Sequence, residues 1–276
     1  MEITVALITE LRNITNAGMM DCKKALIACN GDKEAAIKQL REKGLAIQVK
    51  RADKESNQGL IMAETVGSAI GMAEVNCETD FVAKTEKIVA FTKLVTETVA
   101  KGDLDAAKTL NNELVALISA TGENLKIRRV ARFEAQGTGK VESYIHLGGK
   151  VGVLVELGCT KAETVSNPAF EALLHDLCLQ VAAASPRYLV PAEVPAELVE
   201  GEKDIYRTQL EGKPANMMEN ILKGKIQKFY GEICLIHQPF VKEPKQSITD
   251  LLEACSKATG DTVAIKRFAR FQLGAA

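Results

Sequence analysis

Ile70-Gly71-Met72-Ala73-Glu74-Val75-Asn76-Cys77 is an apolar run carrying one acid, and its order of residue types returns at Val151-Gly152-Val153-Leu154-Val155-Glu156-Leu157-Gly158-Cys159. Each run is preceded by a strand-like stretch and a glycine turn: Leu60-Ile61-Met62 with Gly67, then Val141-Glu142-Ser143-Tyr144-Ile145 with Gly148-Gly149. Each is followed by a helical pattern opening on an aromatic: Phe91, Leu94 and Val95, then Phe170, Leu173 and Leu174. A third pair, Ile127-Arg128-Arg129-Val130-Ala131-Arg132-Phe133 and Ile265-Lys266-Arg267-Phe268-Ala269-Arg270-Phe271, interleaves apolar and basic residues, as a strand with one wet face would. The chain is therefore expected to be α+β, with two related subdomains of strand, strand, helices, strand, built on antiparallel sheets.

The second copy is interrupted. Pro186, Pro191 and Pro195 lead into two helical patterns, Leu198, Val199, Ile205 and Leu210, then Met218, Ile221, Leu222, Ile226 and Phe229, with Gly212-Lys213-Pro214 between them. This predicts an inserted helical hairpin over 186–231 whose apolar seam invites a partner or a second copy of the chain.

Residues 1 to about 45 read as three short helices. Leu7, Ile8, Leu11 and Ile14 mark the first, which Gly18 breaks, and Met19-Met20 fill the turn. Asp21 is expected to cap the second helix, with Leu26 inward, and Asn30-Gly31-Asp32 to form a turn and a new cap. Ala36, Ile37 and Leu40 mark the third helix, which Gly44 closes. The charged stretch over 49–58 reads as a linker or a helix end running into one. The expected organisation is 1–56, an N-terminal module and linker; 57–137, a first core subdomain; and 138–276, a second one interrupted by the hairpin. Met19 and Met20 are open to two readings, core or an adaptable docking surface.

Composition narrows the function classes. Formal net charge is -1, so no field of one sign favours bulk nucleic acid or an anionic membrane, and no direct nucleic-acid contact is expected. No apolar run reaches the roughly 20 residues of a membrane span, and no signal peptide is read at the N-terminus. The seven cysteines are scattered singly, which fits reduced thiols in a cytoplasmic protein. The three histidines lie far apart, so neither a metal site nor a cofactor is expected. Gly137-Thr138-Gly139-Lys140 lacks the flanking glycine and hydroxyl of a phosphate loop, and no histidine is near Cys77 in sequence, so the chain is not expected to be an enzyme.

The two copies differ where Cys77 runs into Glu78-Thr79-Asp80-Phe81-Val82 while Cys159 runs into Thr160-Lys161-Ala162-Glu163. Thr79 or Asp80 suits a helix cap. A cap explains an oxygen side chain but not an aromatic beside it on a junction that should be wet. A ring next to a carboxylate there has the form of a small insertion device.

At these residues the chain resembles the bacterial translation elongation factor Ts family. The resemblance is carried by residues 15–26, by Glu74-Val75-Asn76-Cys77-Glu78-Thr79-Asp80-Phe81-Val82-Ala83, by Ile127-Arg128-Arg129 and by Gln238-Pro239-Phe240-Val241. It implies a ubiquitin-associated-like N-terminal module, a core of two related subdomains and a coiled-coil hairpin that serves dimer contacts in some members. It implies guanine-nucleotide exchange on elongation factor Tu. It gives Thr79, Asp80, Phe81 and Val82 the role of displacing Mg²⁺ from that GTPase, and gives Arg12, Met19 and Met20 a grip on its nucleotide domain. It also places His146 of the second subdomain against another domain of the partner. Many members continue past the last strand with a C-terminal helix; here the residues through Ala276 hold none, so binding is expected to rest on the module and the core. The rival reading is an RNA- or ribosome-binding adaptor using Arg128, Arg129, Arg132, Lys266 and Arg267.

Overall fold

A computed structural model describes residues 3–15, 17–209 and 215–275. The chain begins with α1 (Val5–Thr15), α2 (Met19–Ala28) and α3 (Lys33–Arg51). Ile8, Leu11, Ala17, Cys22, Ala25, Leu26, Ala36 and Leu40 form their small shared core. Asn30 and Gly31 take positive φ, and Asp32 caps α3 by accepting from the Ala35 N–H, as the turn chemistry requires.

Two expectations here need correction. Met19 and Met20 open α2, with Gly18 as its cap residue, and Asp21 lies within the first turn and pairs with Lys43. Gly44 does not close α3 but lies buried in its middle. A Cβ there would stand 2.7 Å from the Val115 carbonyl oxygen, so the glycine serves close helix–helix approach rather than a helix end. The helix runs on to Arg51, which accounts for the charged stretch read as a helix end.

The first repeat follows as β1 (Gln58–Val66), β2 (Ala69–Cys77), α4 (Asp80–Ala83), α5 (Glu86–Ala100), α6 (Ala106–Thr109), α7 (Asn111–Thr121) and β3 (Lys126–Glu134). The second is β4 (Gly139–His146), β5 (Val151–Gly158), α8 (Pro168–Ala184), α9 (Ala196–Gln209), α10 (Ala215–Ile233), α11 (Ile248–Thr259) and β6 (Ala264–Gln272). Each repeat forms a three-stranded antiparallel sheet, β1-β2-β3 and β4-β5-β6, with the apolar run in the middle. Both middle strands are buried along their whole length, which is why they read as near-continuous apolar sequence. The α+β reading holds.

The chain divides into two compact units, one of residues 1–133, 145–152 and 271–276, the other of 134–144 and 153–270. In the first, α5 and α7 cover one face of the sheet, packing Phe91, Val95, Val99, Leu114 and Ile118 on Val75 and Cys77. In the second, β5 and α8 bury Val153, Val155, Leu157, Phe170, Leu174, Leu177 and Cys178. The hairpin helices α9 and α10 share a cluster of Val199, Ile226, Phe229 and Ile233. The turn expected at Gly212-Lys213-Pro214, and Leu210 before it, lie outside the described residues.

The repeat extends to buried charge. Glu74 on β2, wholly buried, accepts from Arg129 Nε at 2.6 Å and from the Gly274 N–H at 3.0 Å. Glu156 on β5 accepts from Arg267 Nε at 2.6 Å and from the Gln136 N–H at 2.6 Å. The basic third strands are therefore not simply wet: Arg128, Arg129 and Arg267 are half-buried and turned onto these acids. The glycine part of the sequence match does not survive. Gly71 faces α5, where a Cβ would meet the Thr96 carbonyl, whereas Gly152 faces Ile61 and Met72. Glu74/Glu156 and Cys77/Cys159 set the true register, and a slip of one residue puts the two glycines on opposite faces.

Candidate functional site

Where β2 ends, the chain turns sharply into the single-turn helix α4. Thr79 takes extended backbone angles and its hydroxyl accepts from the Val82 N–H at 3.3 Å, so the cap reading is correct for Thr79. Asp80 opens the helix and holds Lys84 at 2.7 Å, a hydrogen bond that lowers its carboxyl below the ordinary range. Val82 packs on the helical core below, and Ala83 is buried. Phe81 is 81% exposed. A phenyl ring so placed is stabilised by nothing in its own fold. The outer residues of the turn secure it, and the middle two are presented to solvent.

The secured side is more elaborate than the sequence suggests. Glu123, just past α7, accepts from the backbone N–H groups of Glu78 and Thr79, both at 3.1 Å, and from the Thr79 hydroxyl at 2.7 Å. Glu78 accepts from the Asn124 N–H at 2.6 Å, and both its oxygens accept from Arg51, at 2.7 and 2.6 Å. The Arg51 guanidinium holds the Glu78 carboxyl down at about 2, against the opposing effect of burial. Sequence reasoning missed Arg51, Glu78 and Glu123 as supports of the turn. A signal for Glu123 was present: Gly122-Glu123 stands before Ile127 as Gly260-Asp261 stands before Ile265. Asp261 grips Thr160 and Lys161 in the same way.

Cys77 does not offer a nucleophile. Burial, with Glu123 nearby, pushes its thiol up to about 11, and its Sγ donates to the Thr79 carbonyl at 3.1 Å.

The remaining candidates stand on other elements. Arg12 on α1 and Met19 and Met20 on α2 are all exposed, so the core reading of the two methionines fails. His146 is exposed at the end of β4, in a segment that groups with the first unit rather than the second. Its carbonyl accepts from the Gly149 and Lys150 N–H groups, closing a turn in which exposed Leu147 takes a positive φ of 50°.

The family model described as Elongation factor TS matches residues 78–275, beginning at the junction itself. This chain belongs to the elongation factor Ts family. Elongation factor Ts of Trichlorobacter lovleyi is 43% identical to it, the match covering 99% of this chain and 93% of the relative. The Nitratidesulfovibrio vulgaris protein of that name is 40% identical over 99% of this chain and 96% of its own length. That of Clostridium perfringens is 42% identical over 99% and 93%. The protein is thus a translation elongation factor of protein biosynthesis. No described helix is long and apolar enough to cross a membrane.

Proposed function

We propose that this elongation factor Ts family member is a cytoplasmic guanine-nucleotide exchange factor for elongation factor Tu. The observation that carries the reading is Phe81: an exposed ring on a turn whose backbone is gripped from below. A GTPase holds GDP largely through its phosphates and the Mg²⁺ that neutralises them. Insertion of Phe81 between elements of the partner displaces the ligands of that metal, and nucleotide affinity falls. Asp80 serves as the second contact. Its exposed pair with Lys84 is weak, so the carboxylate is available to a donor on the partner. Thr79 and Val82 hold the turn to the core. Arg12, Met19 and Met20 supply a docking surface, and His146 a further contact.

The chemistry is equilibration, not bond-making. By linkage, the factor by which this protein weakens GDP is the factor by which GDP weakens this protein. The hairpin, with Ile205 exposed on α9, is the surface we propose for contacts with a second copy. The adaptor reading is less well supported, because Arg129 and Arg267 are committed to buried carboxylates.

The test is stopped-flow release of labelled GDP from elongation factor Tu. Release should accelerate when this protein is added, and Phe81→Ala should remove most of the acceleration while the thermal unfolding curve stays in place. Wild-type exchange by Phe81→Ala would refute the mechanism.

A further inference from the structure

We propose that Arg51 and Glu78 are positioning residues of the exchange site, through which the N-terminal helical module sets the pose of the turn that carries Phe81. The inference rests on the exchange-factor reading above and deepens it. Its basis is a closed chain of contacts within the first unit.

The single helix α3 begins in the core of the N-terminal module, where Ala36 and Leu40 are buried, and ends at Arg51 on Glu78. Midway, Gly44 brings α3 against Val115 and Ser119 of α7. The end of α7 leads through Gly122, in the left-handed conformation, directly to Glu123 and Asn124. Those two residues hold the turn from the other side, Glu123 at Glu78 and Thr79, Asn124 at the Glu78 carboxylate. The turn is therefore suspended between the two helices. A partner that grips the module and tilts α3 moves Arg51, and with it the backbone from which Phe81 projects.

The second copy shows what the scaffold does without this link. The two N–H groups after Cys159, at Thr160 and Lys161, are held by Asp261 just as those after Cys77 are held by Glu123. At the first of these positions the side chains diverge. The Thr160 hydroxyl turns back onto Asp261, closing the turn on itself. Glu78 turns away, to an arginine of another module. Local stability is served by threonine, so the carboxylate at 78 and its two-pronged arginine add something a turn does not need. Paired N–H···O bonds to both oxygens fix orientation as well as distance, which is what transmitting a pose demands.

The experiment uses the full-length protein and elongation factor Tu loaded with labelled GDP. Maximal exchange rate and half-saturating concentration are measured separately for Arg51→Ala, Glu78→Gln, the double variant, Arg51→Lys and Phe81→Ala. A fluorinated phenylalanine at position 81 reports its environment by 19F NMR. Arg51→Ala and Glu78→Gln should each lower the maximal rate about tenfold, with half-saturation within about twofold of wild type, as loss of a charge-assisted pair outside the interface requires. The double variant should be no worse than either single one. Arg51→Lys should recover part of the rate, and the 19F line should shift or broaden in Arg51→Ala. An unchanged maximal rate with an unmoved 19F line overturns the inference. So does a fall in rate that follows the melting temperature and is not eased by lysine, since that marks a merely structural role. If Phe81→Ala also exchanges normally, the exchange reading itself has failed. If Phe81→Ala fails while the Arg51 and Glu78 variants are normal, only the positioning role is lost.

Discussion

After β2 and after β5 the backbone is held in the same way for two residues, while the side chains part at the first of them. In both, a cysteine thiol donates to a carbonyl two residues on, and a carboxylate from just ahead of the third strand gathers the next two N–H groups. In the second copy the grip continues inward: the Thr164 hydroxyl also bonds Asp261, and Ala162–Ser166 form a 3-10 turn closed over it. Hydrogen bonds from Thr160 and Thr164 keep Asp261 ionised in spite of its burial. In the first copy the grip stops at Thr79, and α4 carries Phe81 outward. Duplication supplied a rigid strand end twice. One copy closes it over Asp261; the other leaves Phe81 exposed.

The largest effect that would break this contrast involves two aromatic rings. Phe170 on α8 is completely buried, and Phe170→Ala should cost about 4 kcal/mol in chemical denaturation. Phe81→Ala should cost under about 0.5 kcal/mol while removing exchange. Comparable stability losses would mean that Phe81 is not held outward in solution.

Next come the arginines on the buried acids, where the copies should agree. Arg129→Ala and Arg267→Ala each take the close arginine from a buried carboxylate and should destabilise the protein by about 3 kcal/mol, Arg129→Ala by somewhat less because Glu74 keeps Arg128 at 3.4 Å. A difference between them much above 1 kcal/mol, an order-of-magnitude margin, would show that the two sheets do not share one design.

The gripping acids should separate stability from activity. Asp261→Ala takes the acceptor from the buried Thr164 hydroxyl and from the part-buried Thr160 and Lys161 N–H groups, and should cost about 2 kcal/mol with exchange at a wild-type rate. Glu123 is only half-buried, so Glu123→Ala should cost about 1 kcal/mol but slow exchange measurably in stopped flow.

The last effect is a pH dependence that the first copy owes to Glu78. Glu78 is lowered in the folded state from the ordinary 4.5 to about 2. A depressed carboxyl contributes stability that is fully present above its unfolded value and is lost as pH falls through the folded one. Wild type and Glu78→Gln should therefore differ in unfolding free energy above pH 4.5 and converge as pH approaches 2. Thr160, in the matching place, carries no charge of its own, but its hydroxyl helps lower the Asp261 carboxyl, so the difference between wild type and Thr160→Val should in turn be lost only as Asp261 protonates.

Much of this architecture is legible in the residue order. The middle strands announce themselves by apolar runs, the capping of α3 by Asn30-Gly31-Asp32, and the exposed turn by an aromatic where a loop should be wet. What stays hidden depends on contacts distant along the chain. Arg51, Glu78 and Glu123 meet only because α3 and α7 pack together, and no local pattern encodes that packing. Gly44 misleads for a related reason: a glycine in a helical pattern looks like an end until its neighbour across the interface is known. Gly71 and Gly152 look equivalent by type, yet period-two alternation sets them on opposite faces.

The buried cysteines have a practical consequence. Cys77 ends the middle strand of the first sheet and Cys178 lies buried on α8, and burial raises the thiol of each. Neither reacts until the structure around it opens, so the rate at which an alkylating reagent modifies each sulfur times the breathing of its own unit. The molecule thus carries two stopwatches, already installed, with which to learn whether the proposed GTPase partner quiets one half, the other, or both.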